Sequence, residues 1–89
     1  MFIHLGGETV IRSKDVISIL NHDMKDSSSI TKAFLSFHEK GKNVISISEE
    51  VTKSIVVTES KIYYSPISSI TLKKRAQLVS ELENYVEAN

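Results

Sequence analysis

The sequence predicts a small α+β domain in which a mainly antiparallel sheet is covered by two helices. Three observations carry that expectation. Ile, Val and Thr occupy 24 of 89 positions and cluster in short runs, as residues that fit a pleated surface do. Two longer stretches carry apolar residues at helical spacing instead. The order is strands, helix, strands, helix, with no repeat, linker or low-complexity tract, which describes a single domain over residues 1–89.

The elements follow in order. Phe2-Ile3-His4-Leu5 and Thr9-Val10-Ile11 flank Gly6-Gly7, the pattern of a hairpin whose turn needs positive φ. Val16-Ile17-Ser18-Ile19-Leu20 is apolar on both faces, which predicts a strand that is central or lies under an interface. Residues 21–29 are polar and aperiodic, and Ser28 or Ser29 can cap a helix. Ile30, Ala33, Phe34 and Phe37 then form one helical face from about Ser29 to Lys40, and Gly41 supplies the left-handed stop. Val44–Ser48 is a strand with partial alternation, and Glu49-Glu50 marks an exposed tip. Ile55-Val56-Val57-Thr58 is the most apolar strand. Glu59-Ser60-Lys61 turns it back into Ile62-Tyr63-Tyr64, which Pro66 ends because proline has no amide hydrogen for a ladder. The last helix is expected over about 71–87, with Leu72, Ala76, Val79, Leu82 and Val86 on one stripe and Leu78 and Tyr85 beside it. Its charges oppose the helix macrodipole. Lys73-Lys74-Arg75 stands at the positive end and Glu81, Glu83 and Glu87 toward the negative end, each placement costing roughly 0.3–1 kcal/mol at low salt. A partner chain or an anion is expected to hold those charges.

Composition bounds the function classes. A chain of 89 residues buries only roughly 60–65% of its unfolded surface, so its core is thin. With no cysteine, disulfides and thiolate-held metals are excluded, and dense packing or oligomerisation must supply the stability. Eleven basic residues balance eleven acidic ones, so overall charge does not mark a strongly basic nucleic-acid module. Met1-Phe2-Ile3-His4 is not the positive start of a secretory signal, and no apolar run approaches the roughly 18–20 residues that span a bilayer. A soluble cytoplasmic protein is expected, with no membrane partner.

Candidate chemistry is sparse. His22-Asp23 is an adjacent His–carboxylate pair in a predicted loop, but neighbours in a loop usually point apart, so a solvated loop is expected rather than a catalytic role. His4 is expected atop a half-buried strand and His38 off the first helical stripe, and three scattered histidines make no metal motif. Gly6-Gly7 lacks the following helix of a phosphate cradle, and Glu49-Glu50 fits an exposed tip better than an acid–base pair. No enzyme, cofactor, metal site or small-molecule substrate is therefore expected. Two basic clusters, Arg12-Ser13-Lys14 and Lys73-Lys74-Arg75, could touch phosphates, although short charge runs are more often solvated surface, by about two to one. A symmetric oligomer would repeat a small basic patch and raise affinity by avidity.

Residue order adds a resemblance. Ile3-His4-Leu5-Gly6, Val16-Ile17-Ser18-Ile19, the helix ending Glu39-Lys40-Gly41-Lys42, Ser54-Ile55-Val56-Val57 and Ile62-Tyr63-Tyr64-Ser65-Pro66 together resemble the bacterial extracellular matrix regulator family (RemA and RemB), and within it the RemB-like branch. The resemblance covers roughly residues 1–75. It implies a fold similar to LytTR-type DNA-binding domains, ring-like homo-oligomers and cytoplasmic control of biofilm matrix genes, by DNA binding in RemA-like members. Those members carry arginines between the two middle strands and just before the Val16 strand, where this chain has Glu50, Val51 and Asp15. A DNA role is thus expected only through other basic positions: Arg12, Lys14, Lys53, Lys73, Lys74 and Arg75. The expected partners are further copies of the chain and DNA. The alternative is an oligomeric interaction or scaffold protein without direct DNA contact.

Overall fold

The computed structural model describes residues 1–24, 29–41 and 43–88, with backbone alone for residues 24, 30, 34, 38 and 85–88. Its strands are β1 (Phe2–Gly6), β2 (Thr9–Arg12), β3 (Val16–Asn21), β4 (Asn43–Ser46), β5 (Ser54–Thr58) and β6 (Lys61–Ser65). Its helices are α1 (Ser29–Glu39) and α2 (Ser69–Ala88), and short 3-10 turns span Ser13–Asp15 and His22–Met24. β1 and β2 form an antiparallel hairpin. The other four strands form a mixed sheet in the order β3-β5-β6-β4, with β4 parallel to β6 and the remaining pairs antiparallel. The α+β class holds.

The glycine turn behaves as its composition dictates. Gly6 and Gly7 have φ of 117° and 52°, which residues with a Cβ rarely adopt. A Cβ at Gly6 would also stand 3.0 Å from Pro66 Cγ, so this turn is where the hairpin meets the chain leaving β6. Gly41 ends α1 with φ 73°.

β5 lies at the centre of the sheet, and both its faces are covered. On one face Ile19, Val56 and Tyr63 pack with Ile3, Leu5 and Ile11 of the hairpin and Leu72 of α2, with Ala76 and Val79 alongside. On the other, Ile55, Val57 and Ile62 pack with Leu35 of α1, flanked by Leu20 and Tyr64. Hairpin and α2 form one layer, the sheet a second and α1 a third. Hydroxyls stitch the layers together. Ser65 Oγ donates to the Leu5 carbonyl at 2.5 Å and accepts the Ile67 amide at 3.0 Å, and Ser54 Oγ donates to the Ile67 carbonyl at 2.7 Å. Thr58 Oγ1 bonds both the amide and the carbonyl of Lys61, which closes the predicted reversal after β5.

Several expectations change. Of the two alternatives for Val16–Leu20, central or under an interface, the first falls, because β3 is an edge strand. Its register slips between Val16 and Ser18, so Ile17 is a bulge residue that stands half out in solvent. The bulge restores Val16 to the same side as Ile19, so both pack toward the hairpin layer. In α1 the buried side chain is Leu35, whereas Ala33 and Phe37 of the expected stripe are exposed, Phe37 at 73%. Ile30 and Phe34 of that stripe lie outside the described side chains, and Ser28 outside the described residues. Among the described side chains of α1, Leu35 meets the sheet and Phe37 does not. α2 begins two residues earlier than expected, capped by Ser68, whose Oγ accepts the Thr71 amide at 3.2 Å. Its core side carries Leu72, Ala76 and Val79 as predicted, but Leu82 and Leu78 are 47% and 57% exposed. Val86 and Tyr85 lie outside the described side chains.

Candidate nucleic-acid interface

The sheet separates the predicted basic residues. β5 runs from Ser54, opposite Asn21, to Thr58, opposite Val16, and five strand residues span roughly 15 Å. At the Thr58 end, Arg12, Asp15, Thr58, Glu59, Ser60 and Lys61 rim a groove of about 260 Å³, with Ile11 and Tyr63 in its wall. Arg12 Nε donates to Asp15 Oδ2 at 3.0 Å, and both side chains are substantially exposed. An ion pair of this kind contributes at most about 1 kcal/mol, so Arg12 can exchange Asp15 for a phosphate at small cost. Lys14 is exposed on the turn between β2 and β3. It borders a smaller cleft against α2 with Ser13, Val79, Ser80 and Glu83. Lys61 is not among the residues the sequence singles out. Its sequence neighbour Glu59 makes the turn look neutral, and only the approach of β2 to the β5–β6 turn puts Lys61 beside Arg12.

Lys53 lies at the opposite end. Its amide donates to the Ser65 carbonyl at 2.8 Å, and its own carbonyl accepts the His22 amide at 3.1 Å. The same loop exposes Glu49, Glu50 and Val51, and the Glu50 amide is held by Ser48 Oγ at 3.2 Å. Asp23 follows His22 there, with its amide bonded to Asn21 Oδ1 at 2.9 Å. Among the described residues, Lys53 thus shares this end of the sheet with the carboxylates of Glu49, Glu50 and Asp23. The His22 ring meets Tyr64 edge-on at 6.0 Å, and Tyr64 Oη donates to Glu39 Oε1 at 3.4 Å. The ring thus serves to pack the end of β3 against β6. His4 Nε2 is 2.8 Å from the Gly7 carbonyl, which ties it to its own turn.

The α2 triplet also divides. Lys73 and Lys74 are exposed. Arg75 is half-buried and Nη1 donates to the His4 carbonyl at 2.9 Å, so it fastens α2 along β1. Further along, Glu83 Oε1 accepts Ser13 Oγ at 3.1 Å and the Met1 amine at 3.4 Å. Glu83 thereby tethers the helix to the start of the chain and to the turn after the hairpin. Among the described residues, no helix is long and apolar enough to cross a membrane.

Residues 2–76 match the family described as RemA-like, extracellular matrix regulatory protein A-like. The chain belongs to the RemA-like family. The match runs from the hairpin through both layers of the core into the first two turns of α2, so it includes Arg12, Lys14, Lys53 and the α2 triplet. The chain is also similar to extracellular matrix regulatory protein B of Bacillus subtilis (strain 168), with 44% identity over 84 residues, 94% of this chain and 100% of that protein. Both names describe regulatory proteins. As a RemA-like domain, the chain shows a mixed charge pattern: Arg12, Lys14 and Lys61 with Asp15 and Glu59 at one end, and Lys53 with Glu49, Glu50 and Asp23 at the other.

Proposed function

We propose that this chain is a cytoplasmic, homo-oligomeric regulator of extracellular matrix (biofilm) gene expression that acts by binding DNA. The observation that carries the proposal is the family match over residues 2–76, joined to full-length similarity to extracellular matrix regulatory protein B. The LytTR-type likeness implied by the resemblance belongs to the same proposal.

Two structural features support it. The outer face of the hairpin carries Phe2, 66% exposed, with Val10 half-exposed across from His4, and Ile17 stands out from the β3 bulge. Exposed apolar side chains on so small a domain suit contact with another protein surface. Second, Arg12 and Lys61 line one groove from two elements, with Arg12 held by an exposed ion pair and Lys14 exposed on the turn that follows β2. One such patch is weak, but repetition around an oligomer multiplies it.

The alternative, an oligomeric scaffold without DNA contact, draws on a specific observation of its own. The loop that exposes Glu49, Glu50 and Val51 would repel phosphate. A binding isotherm at several salt concentrations distinguishes the two. Phosphate contacts give a slope of roughly 0.9 per contact in log affinity against log salt. Lys14→Glu with Lys61→Glu is expected to weaken binding and flatten the slope, and Glu50→Arg with Val51→Arg to strengthen and steepen it. No salt-dependent binding by the wild-type oligomer would put the scaffold reading first.

A further inference from the structure

The exposed side of α2 is built to pair with itself, and we infer that two copies of this chain associate through their α2 helices, antiparallel, about a two-fold axis near Leu78. The proposal rests on the homo-oligomer reading and deepens it by naming a contact. It is independent of DNA.

The core takes only one side of this 20-residue helix, namely Leu72, Ala76, Val79 and the tether Glu83. Ile70, Lys74, Leu78, Glu81 and Leu82 project away from it, with Ile70, Leu78 and Leu82 all close to half-exposed or more. They recur at three- and four-residue intervals and so form a stripe on the outer face. Its centre is apolar, its N-terminal part basic and its C-terminal part acidic.

That order is unfavourable within one helix. Lys73 and Lys74 stand near the positive end of the macrodipole and Glu81 toward the negative end. No acidic residue lies three or four positions from the lysines within α2 to compensate. In an antiparallel pair the same order becomes favourable. The axis through Leu78 sets residue 74 of one helix across from residue 82 of the other and residue 75 across from residue 81. The aliphatic stem of Lys74 then covers Leu82, and its ammonium reaches Glu81, twice over by symmetry. The negative end of each helix also lies beside the other's lysines. Leu78 packs on its own copy. An apolar centre with charges that match only when reversed selects a second copy of this chain over an unrelated partner.

Because the chain has no cysteine, single-cysteine variants report directly. Leu78→Cys is expected to form a disulfide-linked dimer under mild oxidation. Val44→Cys, exposed on β4, is the control and should not. Light scattering on Lys74→Glu or Glu81→Lys should give half the wild-type mass, and the double variant Lys74→Glu/Glu81→Lys should regain it. Circular dichroism checks that each variant keeps its helices. Cross-linking of the Leu78→Cys variant no greater than that of the Val44→Cys control, or a folded double variant that stays at half mass, would overturn this contact while leaving a multimeric wild type and its oligomer reading intact. A monomeric wild type would overturn both.

Discussion

β5 and the middle of α2 both carry large aliphatic residues, and the fold treats them oppositely. Ile55, Val56 and Val57 are completely buried, whereas Leu78 and Leu82 keep about half their surface in solvent. Hydrophobicity does not account for the difference, because leucine is as apolar as isoleucine. Position in the layers does. β5 has a neighbour strand on either side, α1 over one face and the hairpin with α2 over the other. The α2 helix has the hairpin and the sheet on one side and, among the described residues, no element on the other. A layered domain this thin covers each element only where another layer reaches it, so a single chain leaves its outermost helix half-covered.

Three substitutions sharpen or break that contrast. The largest effect is expected at the centre of the sheet. Ile55→Ala should lower unfolding free energy by about 2–5 kcal/mol, as large-to-small changes at packed sites do. It is measured by denaturant titration, and a loss below about 1 kcal/mol would mean that the α1 face of the sheet is not packed as described.

The joint between hairpin and sheet comes next. Ser65→Ala removes the donor to the Leu5 carbonyl and the acceptor of the Ile67 amide, and Leu5 is fully buried. Leaving such groups unpaired costs about 1–3 kcal/mol. Amide hydrogen exchange should show the added opening in β1 and β2 before β5 and β6, since the hairpin is its own two-stranded sheet. Loss of protection in all strands together would show that the hairpin is not a separable layer.

The smallest effect is expected on α2. Leu82→Ser should change the stability of the dissociated chain by only about 0.5 kcal/mol, because the side chain is half-exposed. The measurement is a melt at protein concentrations low enough that the midpoint no longer depends on concentration. A change of several kcal/mol there would make Leu82 part of the core and erase the contrast with β5.

How legible this was in the sequence differs by element. The hairpin, the β5–β6 reversal and the end of α1 could be read residue by residue. Gly6-Gly7, Gly41 and Pro66 act through their own backbone restrictions, which no neighbour has to supply. Strand positions were also legible, but rank within the sheet was not. Val16–Leu20 looked more central than it is, because a bulge at Ile17 is invisible to a pattern of alternation. The α1 stripe through Ala33 and Phe37 satisfied the helical period, yet Leu35 meets the sheet. The period is the same for any rotation of the helix, and only the shape of the opposing surface selects one. The candidate interface shows the same split. Arg12 and Lys14 could be picked out as a short basic cluster, but Lys61 joins Arg12 solely because β2 ends beside the β5–β6 turn. Arg75 looked like part of a surface triplet and is instead spent on the His4 carbonyl.

By itself, then, the sequence determined the α+β class, the number and order of main elements, the turns and the reversed charge order of the last helix. These are local properties of backbone restriction, side-chain period and charge. The tertiary structure decided which strand is central, which side of each helix is buried, which cations converge and which are consumed internally. Those depend on residues far apart in the chain meeting across layers, and such contacts are fixed by packing the whole set of elements at once rather than by any one of them.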